Sequence, residues 1–314
     1  MDAVIAYVNG CEKVWRTEYN KYCFFIPSKY NWFYDWGTLR YVLRGISRYM
    51  PFIKNVFLIV SNIEQVPDYV DQTKVKIVLH KDFIPEQFLP TFQANTIELC
   101  MHKIPGLDEE FIYFNDDMIP MSPIKYNDLM YEGKPCMSFV ENYAKYGMPS
   151  YYFIKNSFKS ACDYVYIKKT YDKTIIEDPV IYNGPGYSHI HCPCVFLKSK
   201  NNDVYNTLDE MYDISYHITT ERSGKNLSQY LYSDVLYLEN NYVKSNLTLT
   251  YLKTNDIDEK TCVDMISSIN TSYLCINDFG PINGLTNKES SDILKKVLNK
   301  KFSKRCKYEY DCNK

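Results

Sequence analysis

The sequence predicts an α/β fold in which a mostly parallel sheet is flanked by helices. Strand-like and helix-like segments alternate through the first 120 residues. The strand-like runs are near-continuously apolar, as strands buried on both faces are. Four of them end alike, in small polar residues such as Asn, Asp, Ser or Gly.

Ala3 to Val8 is apolar and rich in β-branched residues, and Asn9-Gly10 closes it with a turn signal. Leu39, Val42, Leu43, Ile46 and Tyr49 recur at helical spacing. Asp35 is the expected N-cap of that helix, and Pro51 stands just past its end. Val56 to Val60 is a second buried strand stopped by Ser61-Asn62, and Val75 to Leu79 is a third. Thr91 to His102 suits a helix capped by Thr91 or Asn95, with Gly106 after it. Phe111 to Phe114 is again a strand, closed by Asn115-Asp116-Asp117. Beyond it, residues 130–183 are rich in Tyr and Lys and read as a helical insertion that covers the sheet. Residues 200–260 read as mainly helical and polar. Ser272 to Ile276 is one more buried strand, closed by Asn277-Asp278, and Ser290 to Lys301 is a Lys-rich helix with a solvated charged face. The whole is expected to be one domain: an α/β part over 1–129, the insertion over 130–183 and the remainder over 184–314.

A chain of 314 residues suits one large domain or two closely packed ones. Its 36 Lys and Arg against 38 Asp and Glu leave a formal charge of -2, so nucleic acid is not an expected partner. No apolar run approaches the ~20 residues that span a bilayer. The N-terminus lacks a basic region followed by an apolar stretch. These features predict a cytoplasmic protein, working in solution or at the inner face of the membrane. Eleven Cys, odd in number and scattered, fit reduced thiols rather than a disulfide framework. Cys192 and Cys194 flank Pro193, but no second Cys/His pair lies at zinc-site spacing.

Ligands of open α/β sheets bind beyond the carboxyl ends of the strands. Asn and Asp are also ordinary turn residues, so one such strand end says little. Asp116, Asp117 and Asp278 together say more, because gathered carboxylates repel unless something positive compensates them. An incomplete set of hard oxygen ligands points to Mg²⁺ or Mn²⁺, with phosphate oxygens and water completing the shell. The chain has no GxxxxGK[ST] loop and no GxGxxG fingerprint, which excludes a P-loop nucleotidase and argues against a dinucleotide cofactor. Gly184-Pro185-Gly186 fits a phosphate-facing turn or a plain one.

These residues fall into four blocks. The first runs from Asp2 through Tyr7, Asn9 and Gly10 to Trp15. The second holds Asp35, Leu39, Arg40, Tyr41, Leu43 and Arg44, then Val66, Pro67, Asp68 and Tyr69. It continues through Leu89 to Phe92, Ile97, Glu98, His102, Pro105, Gly106 and Phe111 to Met118. The third holds His191, Pro193, Arg222 and Leu227, and the fourth Cys275, Asn277, Asp278 and the stretch from Phe302 to Glu309. In this order they resemble the Stealth family of capsular polysaccharide phosphotransferases, which includes the catalytic subunit of the lysosomal-enzyme N-acetylglucosamine-1-phosphotransferase. The chain departs from the family at Thr38, at Trp32-Phe33-Tyr34, at Asn226, at Ser303 and at Cys306. Those departures bear on donor or acceptor identity rather than on reaction type.

The resemblance implies a Rossmann-like, glycosyltransferase-A-like sheet. It also implies transfer of a hexose-1-phosphate from a nucleotide-sugar, expected to be a UDP-sugar, to a hydroxyl of an oligo- or polysaccharide acceptor. It assigns catalysis to His191, Arg222 and Asp117, and metal binding to Asp116, Asp117 and Asp278 with Asn277 beside them. Donor contacts fall to Asp2, Asn9, Gly10, Arg40 and Asn115. His191 suits a general base, since a near-neutral group accepts a hydroxyl proton; His189, two residues away, is its rival. Arg222 suits a phosphate clamp. Glu98 and His102, four apart on one helix, support the site or are plain structure. A metal-dependent glycosyltransferase releasing nucleoside diphosphate is the alternative enzyme, and a non-catalytic binding module the alternative class.

Overall fold

In the computed structural model, residues 1–22, 33–141, 152–171, 187–209, 227–277 and 280–310 are described. The main sheet contains β1 (Asp2–Ala6), β2 (Val56–Val60), β3 (Val75–Leu79) and β4 (Glu110–Asn115), all parallel. The short strands β5 (Met118–Pro120), β6 (Met130–Tyr131), β7 (Lys134–Met137), β8 (Phe139–Glu141) and β9 (Tyr187–His189) follow. Then β10 (Cys194–Leu197) pairs antiparallel with β4, which gives the sheet order β10-β4-β1-β2-β3. β11 (Val243–Lys244) joins β7 and β6, and β12 (Leu249–Lys253), β13 (Tyr273–Asn277) and β5 form a further sheet.

The continuous apolar runs have the consequence that buried strands require, a core on each face. Ala3, Ile5, Leu58, Ile112 and Phe114 enter one core. Their neighbours Val4, Phe57, Ile59, Phe111 and Tyr113 enter the other, as the period of two along a strand dictates. The helices are α1 (Lys13–Tyr22), α2 (Leu39–Tyr49), α3 (Ala94–Cys100), α4 (Tyr152–Tyr171), α5 (Lys198–Asp209), α6 (Tyr230–Leu238), α7 (Glu259–Ser267) and α8 (Asn287–Lys301). α2 and α8 feed the first core, and α3 and α6 the second.

α2 begins and ends where its periodicity predicts, but Asp35 is not its cap. Thr38 holds the N-cap position without a side-chain bond. The Asp35 carboxylate instead accepts from Gly37 N at 2.7 Å and from the Tyr7 hydroxyl at 3.0 Å. Gly45 on α2 lets the helix lie directly on β5: a Cβ there would meet Pro120 O at 2.7 Å. α3 is shorter than the expected 91–102, and a 3₁₀ turn, Met101–Lys103, extends it. Its cap position is Gln93 with no side-chain bond, while Asn95 donates to Leu227 O. Within the expected insertion, residues 130–141 form short strands, and α4 is its described helix. Among the described residues of 200–260, α5 and α6 supply the expected helices, and β11 and β12 follow them, β12 pairing parallel with β13. α8 starts at a capping box, with Thr286 accepting from Glu289 N and Glu289 accepting from Thr286 N. Among the described residues, no helix is long and apolar enough to cross a membrane.

The chain after β4 matters most for the site. Having left the main sheet at Asn115, it turns at Asp116-Asp117 and enters the smaller sheet as β5, antiparallel to β13. Ile276 N donates to Asp117 O at 3.1 Å. Two acidic residues are thus held at the seam between two sheets, beside the carboxyl end of β13.

Candidate active site

A cavity of about 320 Å³ opens at the carboxyl ends of β1, β2, β4 and β13. Tyr7 and Val8 line it just past β1 and Ser61 just past β2, with Asn115 at the end of β4, Asp116 and Asp117 directly after it, and Asn277 at the end of β13. His191, four residues before the Val195–Ile112 pair of β10 and β4, completes that polar side. Trp15, Phe33 and Phe92 form an aromatic wall, with Trp15 and Phe92 nearly edge-on at 5.6 Å. The hydroxyl of Tyr113, also lining the cavity, is buried without a hydrogen-bond partner. Such a donor is expensive to leave unmade unless a ligand takes it.

His191 is half-buried. Its Nε2 lies 3.5 Å from Asn115 Nδ2, and its Nδ1 lies 3.3 Å from the Tyr230 hydroxyl on α6. An amide nitrogen only donates, so Nε2 accepts and Nδ1 carries the hydrogen, aimed at Tyr230 Oη. The ring nitrogen on the Asn115 side therefore has the lone pair a base needs. His189 does not line the cavity. Its side chain is 5% exposed, bonded to the fully buried Asp234 at 2.8 Å and stacked on Tyr230. The geometry favours His191 over His189 as the group that meets a substrate.

Burial pushes the Asp117 carboxyl up to about 6, although the Cys275 thiol donating to Oδ2 at 3.4 Å opposes the rise. Its other oxygen, Oδ1, is buried with no hydrogen-bond partner. A carboxylate so placed is short of positive charge, and this fits a cation. Asp117, His191 and Cys275 bring ligand atoms within 4.8 Å of one another. Oxygen donors of Asp116 and Asn277 line the same cavity. The oxygens suit Mg²⁺ or Mn²⁺, and the nearby imidazole and thiol widen the choice to softer divalent ions. Burial, and after it the Asp35 carboxylate, holds the Tyr7 hydroxyl protonated well beyond the usual phenol range, with Asp116 adding to the effect.

Five of the expected residues, Asn115, Asp116, Asp117, His191 and Asn277, are therefore brought together. Asn9 and Gly10 stand next to the lining residues Tyr7 and Val8 but are engaged locally. Asn9 exchanges hydrogen bonds with Gln65 at 2.6 and 3.0 Å, and its side chain accepts from Cys11 N. Gly10 is required by close approach, since a Cβ there would stand 2.6 Å from Phe33 Cβ. Arg40 turns to the C-terminal segment, 3.5 Å from Glu309 and 4.1 Å above the Tyr69 ring. Asp2 does not reach the cavity, because it opens β1 at the amino end of the strand. It is fully buried and accepts from Asn55 and Asp108, so its role is to tie β1 to two loops. Arg222, Asp278 and Gly184-Pro185-Gly186 lie outside the described residues.

Glu98 is buried and accepts from Gln229 N at 3.1 Å, bracing α3 against the start of α6. His102 packs on Tyr205, away from the cavity lining. Sequence reasoning placed Tyr7 and Cys275 in the blocks but gave no site role to them, nor to Tyr113 or Tyr230. Tyr7 and Tyr113 were legible as strand residues near a carboxyl end, whereas nothing in the apolar α6 segment singles out Tyr230.

Residues 32–137 match the family model for Stealth protein CR2, conserved region 2. The chain is 34% identical over 140 residues to the receptor polysaccharide phosphotransferase WefC of Streptococcus oralis, 42% of either protein. It is 36% identical over 146 residues to the capsular polysaccharide phosphotransferase CpsJ of Streptococcus thermophilus, covering 43% of this chain and 59% of that one. The alignment with the capsular polysaccharide phosphotransferase WcwK of Streptococcus pneumoniae covers 98% of both proteins at 26% identity. The chain thus spans about two fifths of the length of the first of these relatives. A galactosyltransferase solved with donor and acceptor sugar analogs overlaps 96% of each chain at a TM-score of 0.44 and 8% identity. That overlap is too loose to carry an argument.

Proposed function

We propose that this chain, which carries the Stealth conserved region 2 over residues 32–137, is a sugar-phosphate transferase of capsular polysaccharide synthesis. It moves a hexose-1-phosphate from a nucleotide diphosphate sugar, a UDP-sugar being the expected donor, to a hydroxyl of a growing saccharide. The observation that supports this reading most is the convergence of Asn115, Asp116, Asp117, His191 and Asn277 on one cavity. Three of these, Asn115 to Asp117, lie inside the matched region.

The chemistry follows from the donor. His191 Nε2 accepts the proton of the acceptor hydroxyl, and the hydroxyl oxygen forms a bond to the β-phosphorus. The bond from that phosphorus to the oxygen bridging the α-phosphorus breaks, and nucleoside monophosphate leaves with that oxygen. The anomeric bond stays intact, so the product is a phosphodiester. The Asn115 amide holds the His191 lone pair until the acceptor hydroxyl replaces it. Asp116, Asp117 and Asn277, with Asp278, would hold a divalent cation, which when bound neutralises the diphosphate and the leaving group. Arg222 is the proposed clamp on the transferred phosphate.

His191→Ala tests the reading. Turnover should fall ~100-fold with donor affinity little changed, the pattern of a lost general base. Full turnover in that variant would overturn it.

A further inference from the structure

We propose that Tyr230 is a positioning residue for His191: its hydroxyl fixes which ring nitrogen bears the hydrogen and which way the imidazole faces. The inference rests on the reading of His191 as the base and adds to it a device in the second layer of the site. The hydroxyl stands 3.3 Å from His191 Nδ1. On the other side of the imidazole, Asn115 Nδ2 donates toward Nε2 at 3.5 Å. A ring held between an acceptor at Nδ1 and a donor at Nε2 has one satisfied neutral tautomer, the one that presents a lone pair to the cavity. A histidine without such a partner divides between two tautomers and two ring orientations, and only one combination accepts a proton from the substrate.

Tyr230 can do this because it is itself immobilised. Its ring stacks on His189 at 4.4 Å and 7°, and His189 is bonded to Asp234 at 2.8 Å, with side-chain exposures of 5% and 0%. Both Tyr230 and Asp234 come from α6, one turn apart, so the helix delivers the hydroxyl and the carboxylate together. Buried polar groups are ordinarily kept where they are fully paired. A His–Asp pair packed under a tyrosine ring, with that tyrosine bonded to His191 on the cavity, accounts for three of the polar side chains at the α6 interface. It also explains why His189, two residues from the cavity histidine, lies away from solvent: it is the platform rather than the base.

The test is Tyr230→Phe in the full chain, which keeps the ring and its stack on His189 and deletes only the hydroxyl. The expected result is a ~10-fold lower kcat, with the donor KM and the urea midpoint unchanged. In a His191→Ala background the same change should cost nothing further, since the two residues act as one unit. The ¹⁵N spectrum of the neutral His191 ring gives a readout independent of turnover: one tautomer in the parent chain, a mixture in Tyr230→Phe. An unchanged tautomer together with an unchanged kcat would overturn the inference. So would an equal loss in both backgrounds, which would mark Tyr230 as packing alone. If His191→Ala is fully active while the tautomer still responds to Tyr230→Phe, the base reading fails and the positioning contact survives.

Discussion

Asp117→Asn should make the metal-free protein more stable while it abolishes turnover. The Asp117 carboxyl rises from 3.8 to about 6 because burial penalises its charge. At about 1.36 kcal/mol per unit, that rise is a penalty of roughly 3 kcal/mol in the folded state once the group is ionised. The sign follows from proton counting. Between the unfolded value near 3.8 and the folded value near 6, the folded state holds more protons. The penalty is therefore absent below pH 4, grows as pH rises and is complete above pH 6. An amide in place of the carboxylate carries no charge but leaves polar atoms buried, so a net gain of ~1–2 kcal/mol is expected at pH 8. Urea unfolding in excess chelator at pH 4 and pH 8 measures it, and the gain should appear at pH 8 alone. Adding Mg²⁺ or Mn²⁺ should reverse the order, because ligand at ~100 times its Kd stabilises the parent by about 2.7 kcal/mol and the variant far less. If Asp117→Asn is less stable than the parent in chelator at pH 8, or if cation stabilises both equally, the argument for a carboxylate waiting on a cation is wrong.

Two further outcomes test the frame around the site. Arg44 on α2 is buried and forks onto both carboxylate oxygens of Glu309 at 2.7 and 2.8 Å, so Glu309→Ala strands a guanidinium and should cost about 3–5 kcal/mol in urea unfolding; Arg44→Met with Glu309→Leu should recover most of it. His80 and His102 are both held down to about 4, chiefly by burial. Each is neutral in the fold, so stability should fall as pH drops from about 6.5 toward 4, and His80→Gln should flatten that slope in a pH series of unfolding midpoints.

Much of the fold was legible because its strands are buried on both faces. β2 and β3 occupy the residues their apolar runs predict: no polar residue interrupts β2, and Lys76 is the one interruption in β3. β12 and β10 were not anticipated. β12 has no clean alternation, since Leu249 and Tyr251 share a face with Lys253 and Leu252 shares one with Thr250, and β10 has four residues. The Asp35 cap failed for a tertiary reason, because a tyrosine from β1 takes the carboxylate that a local reading gives to α2. The rule that ligands meet strand carboxyl ends nominated Asn115, Asp116, Asp117 and Asn277, and all four line one cavity in the fold. Applied strictly, the same rule removes Asp2, which stands at the amino end of its strand. Tyr230 and Asp234 stay silent in the sequence because they belong to an apolar helix, and only packing brings them under His191.

The most direct test of the central claim follows the β-phosphorus. With a UDP-sugar labelled at that position and a saccharide acceptor, the label should appear in the saccharide product beside unlabelled nucleoside monophosphate. That distribution requires the bond between the two phosphorus centres to break and the anomeric bond to persist. Label recovered in free nucleoside diphosphate would mean attack at the anomeric carbon, and the proposed sugar-phosphate transfer would be contradicted.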